Sequence, residues 1–309
     1  VKDEGNVAMP GIIGRGSRIG IIAPSGAVPL ERFEQGRSVI ESLGFSTLTH
    51  GDVFGRHRYL AGTDHRRAAA LHRCFSDDAV DAIICARGGY GALRLLPLLD
   101  LALIRRHPKP FIGFSDISAL HWAFYRHGGL ATFHGPVITS LADGDEASGN
   151  ALVQALCSRR PIRLTGSIVL KEGRAQGPVV GGNLSTLSHL LGTPFGPRFS
   201  GCILMLEDIH EPAYKIDRML SQMKQAGCFH GLAGLVLGTF TDCGSTEALF
   251  DLVTEIFEEW DIPIMAGLEV GHGSVNRTAP IGMTAFLDTA TLRLTYDRGG
   301  AEGTGGGSG

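Results

Sequence analysis

The sequence predicts a two-lobed α/β protein. Short apolar runs of strand length alternate with stretches whose apolar residues recur at helical spacing. The 44 glycines concentrate where apolar runs end rather than in repeats, as a fold with many tight strand-to-helix turns requires. The rhythm breaks once, between about Ala142 and Gly166, where D-G-D-E-A-S-G-N leads into a short amphipathic helix and S-R-R-P. A chain of 309 residues has room for about two domains.

In the first half, a strand over Arg18–Ala23 passes through the loop Pro24–Ala27 to a helix over Leu30–Leu43 and a short strand over Phe45–Thr49. After the polar loop G-R-H-R-Y-L-A-G comes a helix from about Asp64 to Phe75, with Thr63 or Asp64 as its cap. The strand Ala79–Cys85 then runs into A-R-G-G-Y-G. A helix near Ala92–Leu96, a strand ending at Ser115, a helix to about His127 and a strand near Thr132–His134 complete the lobe. Such alternation predicts parallel strands covered on both faces, with functional loops at their carboxyl ends. Ser115 and the Gly88–Gly91 loop then share one rim.

The second half reads as strands near Ile168–Leu170 and Gly177–Val180, a helix near Asn183–Leu191, a strand Cys202–Leu206, a helix Ala213–Ala226 and a strand Leu235–Thr239. A helix over Thr246–Trp260 and a strand around Pro263–Ala266 follow. The last two strands, Thr284–Asp288 and Thr291–Tyr296, meet at D-T-A-T as an antiparallel hairpin. We therefore expect a flexible leader over 1–17, a first domain over 18–145, a linker over 146–175, a second domain over 176–297 and a flexible, Gly-rich tail over 298–309.

Composition excludes several classes. Hydrophobic residues at 43%, charged residues at 19% and a formal charge of −3 describe an ordinary globular protein, with no basic excess to recommend nucleic acid. No apolar run reaches the length of a membrane span, and the start has no secretory pattern. The expected location is the cytoplasm, with no membrane partner. The six cysteines are scattered without C-x-x-C, as buried thiols in a reducing compartment are.

The most informative stretch is Lys109–Phe124. Phe111, Ile112 and Phe114 form an apolar strand run, while Ala119, Leu120, Ala123 and Phe124 recur at helical spacing. A strand that ends on Ser115 and turns into a helix holds the hydroxyl clear of the sheet, beside free backbone N–H groups that can stabilise negative charge. The layout is that of a nucleophile elbow, with Ile117 where G-x-S-x-G has its last glycine. Serine is also a common helix cap.

A serine nucleophile needs a base and a group to orient it. Glu207 follows the run C-I-L-M-L, which delivers a carboxylate to the lip of a buried strand. His272 lies between glycines in G-L-E-V-G-H-G-S-V-N-R, where a titratable ring suits a general base. A helix-capping carboxylate and a surface histidine are the plainer readings of the two.

The strings I-I-A-P-S-G (Ile21–Gly26), Y-L-A-G-T-D (Tyr59–Asp64), A-R-G-G-Y-G (Ala86–Gly91), F-I-G-F-S-D (Phe111–Asp116), G-G-N-L-S (Gly181–Ser185), L-E-D-I (Leu206–Ile209) and G-H-G (Gly271–Gly273) occur in that order. From about Arg18 to Tyr296 the chain resembles the LD-carboxypeptidase family of serine peptidases, the muramoyltetrapeptide carboxypeptidases. The resemblance implies Ser115 as nucleophile, Glu207 as orienting acid and His272 as base. It also implies an amino-terminal domain like class I glutamine amidotransferases, a carboxyl-terminal swivelling α/β domain, and a homodimer.

The backbone N–H groups of Asp116 and Gly89 are the expected oxyanion donors, Gly89 on the family resemblance. Arg87 and Tyr90 are candidate substrate contacts. A guanidinium matches a terminal carboxylate, although a structural salt bridge would account for Arg87 equally. The substrate implied by resemblance is a murein tetrapeptide that loses its terminal D-alanine during wall recycling. Relatives that hydrolyse peptide-nucleotide antibiotics supply the alternative, and these would need an aromatic platform for the base; neither Trp122 nor Trp260 lies in an obvious loop. A phosphate-binding module built on A-R-G-G-Y-G lacks the G-K-[ST] ending and the G-x-G-x-x-G spacing. H-E-x-x-H is absent, and His210-Glu211 runs into Pro212 rather than a helix with ligand spacing. No cofactor is expected.

Overall fold

Strand β1 (Arg18–Ile22) is buried from its second residue onward, as a strand covered on both faces must be, and the first sheet grows outward from it. In the computed structural model, which describes residues 7–143 and 145–298, β1 lies parallel to β2 (Ser46–Thr49) on one side and β3 (Ala82–Cys85) on the other. Next to β3 come β4 (Phe111–Gly113) and β5 (Thr132–His134), also parallel. The crossovers carry α1 (Leu30–Ser42), α2 (Asp64–Ser76), α3 (Leu101–Arg106) and α4 (Ser118–Ala123). Side chains cap two of these helices: Thr63 accepts from the Arg66 N–H, and Asp100 accepts from the Leu103 N–H at 2.8 Å.

Gly36 is the point where α1 meets α5 (Ile138–Leu141). A Cβ there would stand 1.8 Å from the Ile138 carbonyl oxygen. Glycine to alanine in a helix ordinarily gains about 1 kcal/mol, but the obstacle here is backbone and cannot swing aside. Overpacking of this kind costs about 1–3 kcal/mol. We expect Gly36→Ala to lower the thermal midpoint; a rise would mean that α1 and α5 are not in contact at this residue.

After α6 (Glu146–Cys157) the chain builds the second sheet from β6 (Ile162–Thr165), β7 (Ile168–Lys171), β8 (Arg174–Asn183), β9 (Ile203–Ile209), β10 (Gly234–Thr241) and β11 (Ile264–Ala266). Helices α7 (Leu184–Ser188), α8 (Ala213–Gln225) and α9 (Thr246–Ile256) cross between its parallel strands β8 to β11. Strand β12 (Ala279–Ile281) returns to the first sheet and pairs antiparallel with β5. The hairpin of β13 (Thr284–Asp288) and β14 (Arg293–Tyr296) then closes the second sheet, whose order is β6-β14-β13-β8-β9-β10-β11-β7.

Several expectations need correction. Residues 146–175 are not a linker: they hold α6, β6, β7 and the start of β8, and β6 and β7 are the two edges of the second sheet. The alternating burial of β6, with Ile162 and Leu164 inside, shows why it docks. Nor does the described part of the leader hang free, because the Ala8 N–H donates to the Gly129 carbonyl at 2.7 Å and the Ile13 N–H to the Leu156 carbonyl at 3.0 Å. Arg298, placed in the tail, donates to the Ser158 and Ala155 carbonyls; residues 1–6 and 299–309 lie outside the described chain. Strand β12 escaped notice because Pro280 sits in it, which is tolerated at a sheet edge. The expected helix after Ser115 is three pieces: a 3₁₀ turn (Ser115–Ile117), α4, and a π turn (Phe124–Gly128) ended by Gly129 at φ 61°. No helix among the described residues is long and apolar enough to cross a membrane.

Candidate active site

Ser115 stands directly after Phe114, where β4 gives out, with φ 64°. A non-glycine residue in the left-handed region costs about 1–3 kcal/mol, and such strain persists only where the surroundings over-determine it. Here the next residue supplies the restraint. The buried Asp116 carboxylate accepts from the Ser25 hydroxyl at 2.5 Å and from the Ala92 N–H at 2.7 Å, tying the turn to the loop after β1 and the loop after β3. Burial pushes the Asp116 carboxyl upward, against the pull of those two hydrogen bonds. Reading the sequence assigned Asp116 only a backbone role; its side chain is the clamp.

Gly88 brings the A-R-G-G-Y-G loop onto the serine. A Cβ on Gly88 would lie 2.9 Å from the Ser115 Cβ and 3.2 Å from its Oγ, so only glycine permits this approach. Gly89 follows at φ 103°.

Glu207 and His272 meet directly. Strand β9 runs on past Glu207 to Ile209 instead of ending there, and Glu207 is fully buried. One carboxylate oxygen, Oε2, accepts from the His272 backbone N–H at 3.2 Å and stands 2.6 Å from its Nδ1. A Cβ on Gly271 would fall 2.5 Å from that oxygen; glycine is what lets the loop fold over the carboxylate. The Thr241 hydroxyl donates to the His272 carbonyl at 2.7 Å, and Asn276 Oδ1 accepts from the Gly271 N–H at 2.9 Å. Because a carboxylate only accepts, Nδ1 carries the proton and Nε2 is left to act. The His272 ring packs on Phe114, centroids 4.7 Å apart, so the loop from the second half of the chain reaches the residue before Ser115.

A second histidine, fully buried His134, places Nε2 3.8 Å from the other Glu207 oxygen, beyond hydrogen-bond length. Burial works to raise the Glu207 carboxyl, but the two imidazoles outweigh it and hold the group down at about 2. Burial lowers His272, and the Glu207 hydrogen bond and charge, with Asp208 behind them, more than reverse this, so its pKa lies above 6.5. A general base must be neutral to accept a proton. We therefore expect kcat/KM to fall on the acid side with a midpoint above 6.5; a midpoint at or below that value would contradict the bond between the two side chains.

Residues without a role in the sequence reading join the lobes at one hydrogen bond and brace the second lobe with two more. The Asn183 N–H donates to the Ser118 hydroxyl at 2.9 Å, its side-chain amide to Asp208 at 2.8 Å, and the Ser185 N–H to the same carboxylate at 2.8 Å. The G-G-N-L-S string carried the signal: Gly182 has φ 129° and a Cβ there would meet the Ser118 hydroxyl at 2.4 Å.

An open cleft of about 530 Å³ adjoins Gly89, with Arg87, Tyr90, Tyr59, Phe54 and Arg56 in its wall. Arg87 donates from Nη1 to the Ala27 carbonyl at 2.5 Å, so part of its guanidinium is already engaged. Tyr59 and Tyr90 contact each other with centroids 5.7 Å apart and are 55% and 45% exposed. Trp122 instead is buried and donates to the Phe195 carbonyl, and Trp260 packs on Phe229 and Phe257. Among the described residues no group of three or more His, Cys, Asp or Glu is placed to hold a metal ion.

Two lobes, a parallel sheet presenting a strained serine and a second sheet presenting a buried Glu–His pair, describe a hydrolase-like architecture, and comparison with known proteins places it. Residues 19–135 match the LD-carboxypeptidase N-terminal domain and residues 176–287 the LD-carboxypeptidase C-terminal domain; the chain belongs to the LD-carboxypeptidase family. It is 37% identical over 295 residues to the murein tetrapeptide carboxypeptidase of Pseudomonas aeruginosa, covering 89% of this chain and 94% of that one. It is 27% identical over 303 residues to the microcin C7 self-immunity protein MccF of Escherichia coli, covering 86% and 88%. The crystal structure of an MccF-like protein from Bacillus anthracis superposes with a TM-score of 0.88 at 29% identity, covering 94% of this chain and 99% of that one. Family membership supports carboxypeptidase activity.

Proposed function

We propose that this protein is a serine LD-carboxypeptidase that releases the terminal D-alanine of a murein tetrapeptide through an acyl-enzyme. The observation that carries the proposal is the buried Glu207 bonded to His272 at 2.6 Å, with the imidazole packed on the residue preceding the strained Ser115. His272 takes the Ser115 proton on Nε2 as Oγ attacks the carbonyl carbon. Glu207 holds the ring and offsets the imidazolium charge. The N–H groups of Asp116 and Gly89 receive the oxyanion. Collapse breaks the C–N bond as His272 protonates the departing amine of D-alanine; water, deprotonated by the same imidazole, then attacks the ester and frees Ser115. The part of the Arg87 guanidinium that is not bonded to the Ala27 carbonyl, with Tyr90, faces the substrate's terminal carboxylate. The same reading carries the expectation of a cytoplasmic homodimer acting in wall recycling.

Incubation with purified murein tetrapeptide should give, by mass analysis, the tripeptide and free D-alanine, with undiminished turnover in excess chelator. No loss of D-alanine, or loss abolished by chelator, would overturn the reading. A second reading, hydrolysis of a peptide-nucleotide antibiotic, is favoured by the exposed Tyr59–Tyr90 pair and Phe54, an aromatic wall of the kind on which a base stacks. The ratio of kcat/KM for the two substrates decides between them.

A further inference from the structure

A second cleft, of about 620 Å³, opens where β1 and β2 end, and it is lined by Arg56, Arg66, Arg67, Arg73 and His65, with Asp52 as its one lining carboxylate. The neighbouring acids are already engaged: Asp64 pairs with Arg67 and Arg94, and Asp77 with His50. This concentration of positive charge belongs to a chain whose formal charge is −3, so it is a local feature and not the colour of the whole surface. Thr63, His65 and Arg66 from the amino end of the 13-residue helix α2 also line the cleft, which adds the positive end of a helix dipole. Arg67, 2% exposed, is fixed by the Pro24 and Gly91 carbonyls and by Asp64, yet its buried Nε has no hydrogen-bond partner.

The geometry points to a binding site for a small anion bearing adjacent phosphate groups. Arginine forks match phosphate oxygens in pairs, the volume is that of a small-molecule site, and the carboxyl-terminal rim of a parallel sheet is where such folds bind ligands. Arg56 lines both this cleft and the one beside Gly89. Two sources of the anion follow: a phosphorylated extension of the substrate lying in the adjoining cleft, or a free phosphorylated ligand. The site itself does not depend on the proposed peptidase chemistry.

Inorganic pyrophosphate is the probe, titrated calorimetrically into the whole protein at low and high salt. We expect saturable binding that weakens with salt and falls at least tenfold in Arg66→Glu/Arg73→Glu, two exposed positions outside the catalytic machinery. No saturable binding, or equal binding by the double variant, overturns the site. Ser115→Ala should bind pyrophosphate like the wild type, so failure of the peptidase reading leaves this result standing. A substrate peptide phosphorylated at its amino end, with a lower KM than the plain peptide in the wild type but not in the double variant, assigns the anion to the substrate. Pyrophosphate binding with equal KM values assigns it to a free ligand.

Discussion

Replacing Ser115 by alanine should leave a folded protein whose turnover of murein tetrapeptide is lower by about 10³-fold or more, the loss seen when a serine nucleophile is removed and only binding and oxyanion contacts remain. Retention of turnover within tenfold of wild type would remove Ser115 from the chemistry. The backbone offers an independent check. With φ 64°, the serine is in a conformation that glycine adopts freely, so Ser115→Gly should be equally inactive but relieved of part of the roughly 1–3 kcal/mol of strain. Glycine is more flexible in the unfolded chain and returns some of that gain. The net expectation is a small stabilisation, with Ser115→Ala, which keeps the Cβ, showing none. Equal thermal midpoints for the two variants would mean the turn is not strained.

Glu207→Gln is expected to have the next largest effect, a fall in kcat of about 10³–10⁴-fold with the fold retained. The amide keeps the shape and loses the charge, and its NH₂ group can donate to Nδ1, which places the ring proton on Nε2, where the base should be free. Burial of His272 would then be opposed only by the Asp208 charge and its pKa should fall, shifting the residual acid limb to lower pH. The stability profile gives a second readout. Glu207 is held at about 2, below its ordinary 4.5, so in the wild type its contribution is full above 4.5 and disappears as pH falls through about 2. The glutamine variant should lack that loss. An acid limb and acid-unfolding profile unchanged in the variant would show that Glu207 does not act on His272.

The strands and their order of appearance were legible because each is a short apolar run ended by a turn residue, and burial of β1, β3 and β4 is nearly complete. The three side chains proposed for catalysis were legible for a different reason: each stands at a break in an apolar run, Ser115 just after β4, His272 between glycines and Glu207 where the apolar part of β9 gives way to charge, although that strand continues to Ile209. The partners that hold them were not. Asp116 reads like a helix-start acid, yet its bonds go to Ser25, 91 residues away, and to Ala92. His134 reads as the end of a short strand and lies against Glu207, which is 73 positions later in the chain. Two of the four edge strands, β6 and β12, were illegible as well, although β2 and β7 were not; β12 has three residues and contains a proline.

The amino-acid order alone determined the α/β class, the turn that presents Ser115 and the glycines that let two loops approach it, because these depend on local periodicity and on backbone freedom at single positions. Only the tertiary structure decided that Glu207 and His272 bond, that the imidazole comes to rest on Phe114, that β12 joins the first sheet and that four arginines line one cleft. Those outcomes depend on which separate segments pack together, and contacts such as Glu207–His272, 65 residues apart, leave no periodic trace in the chain.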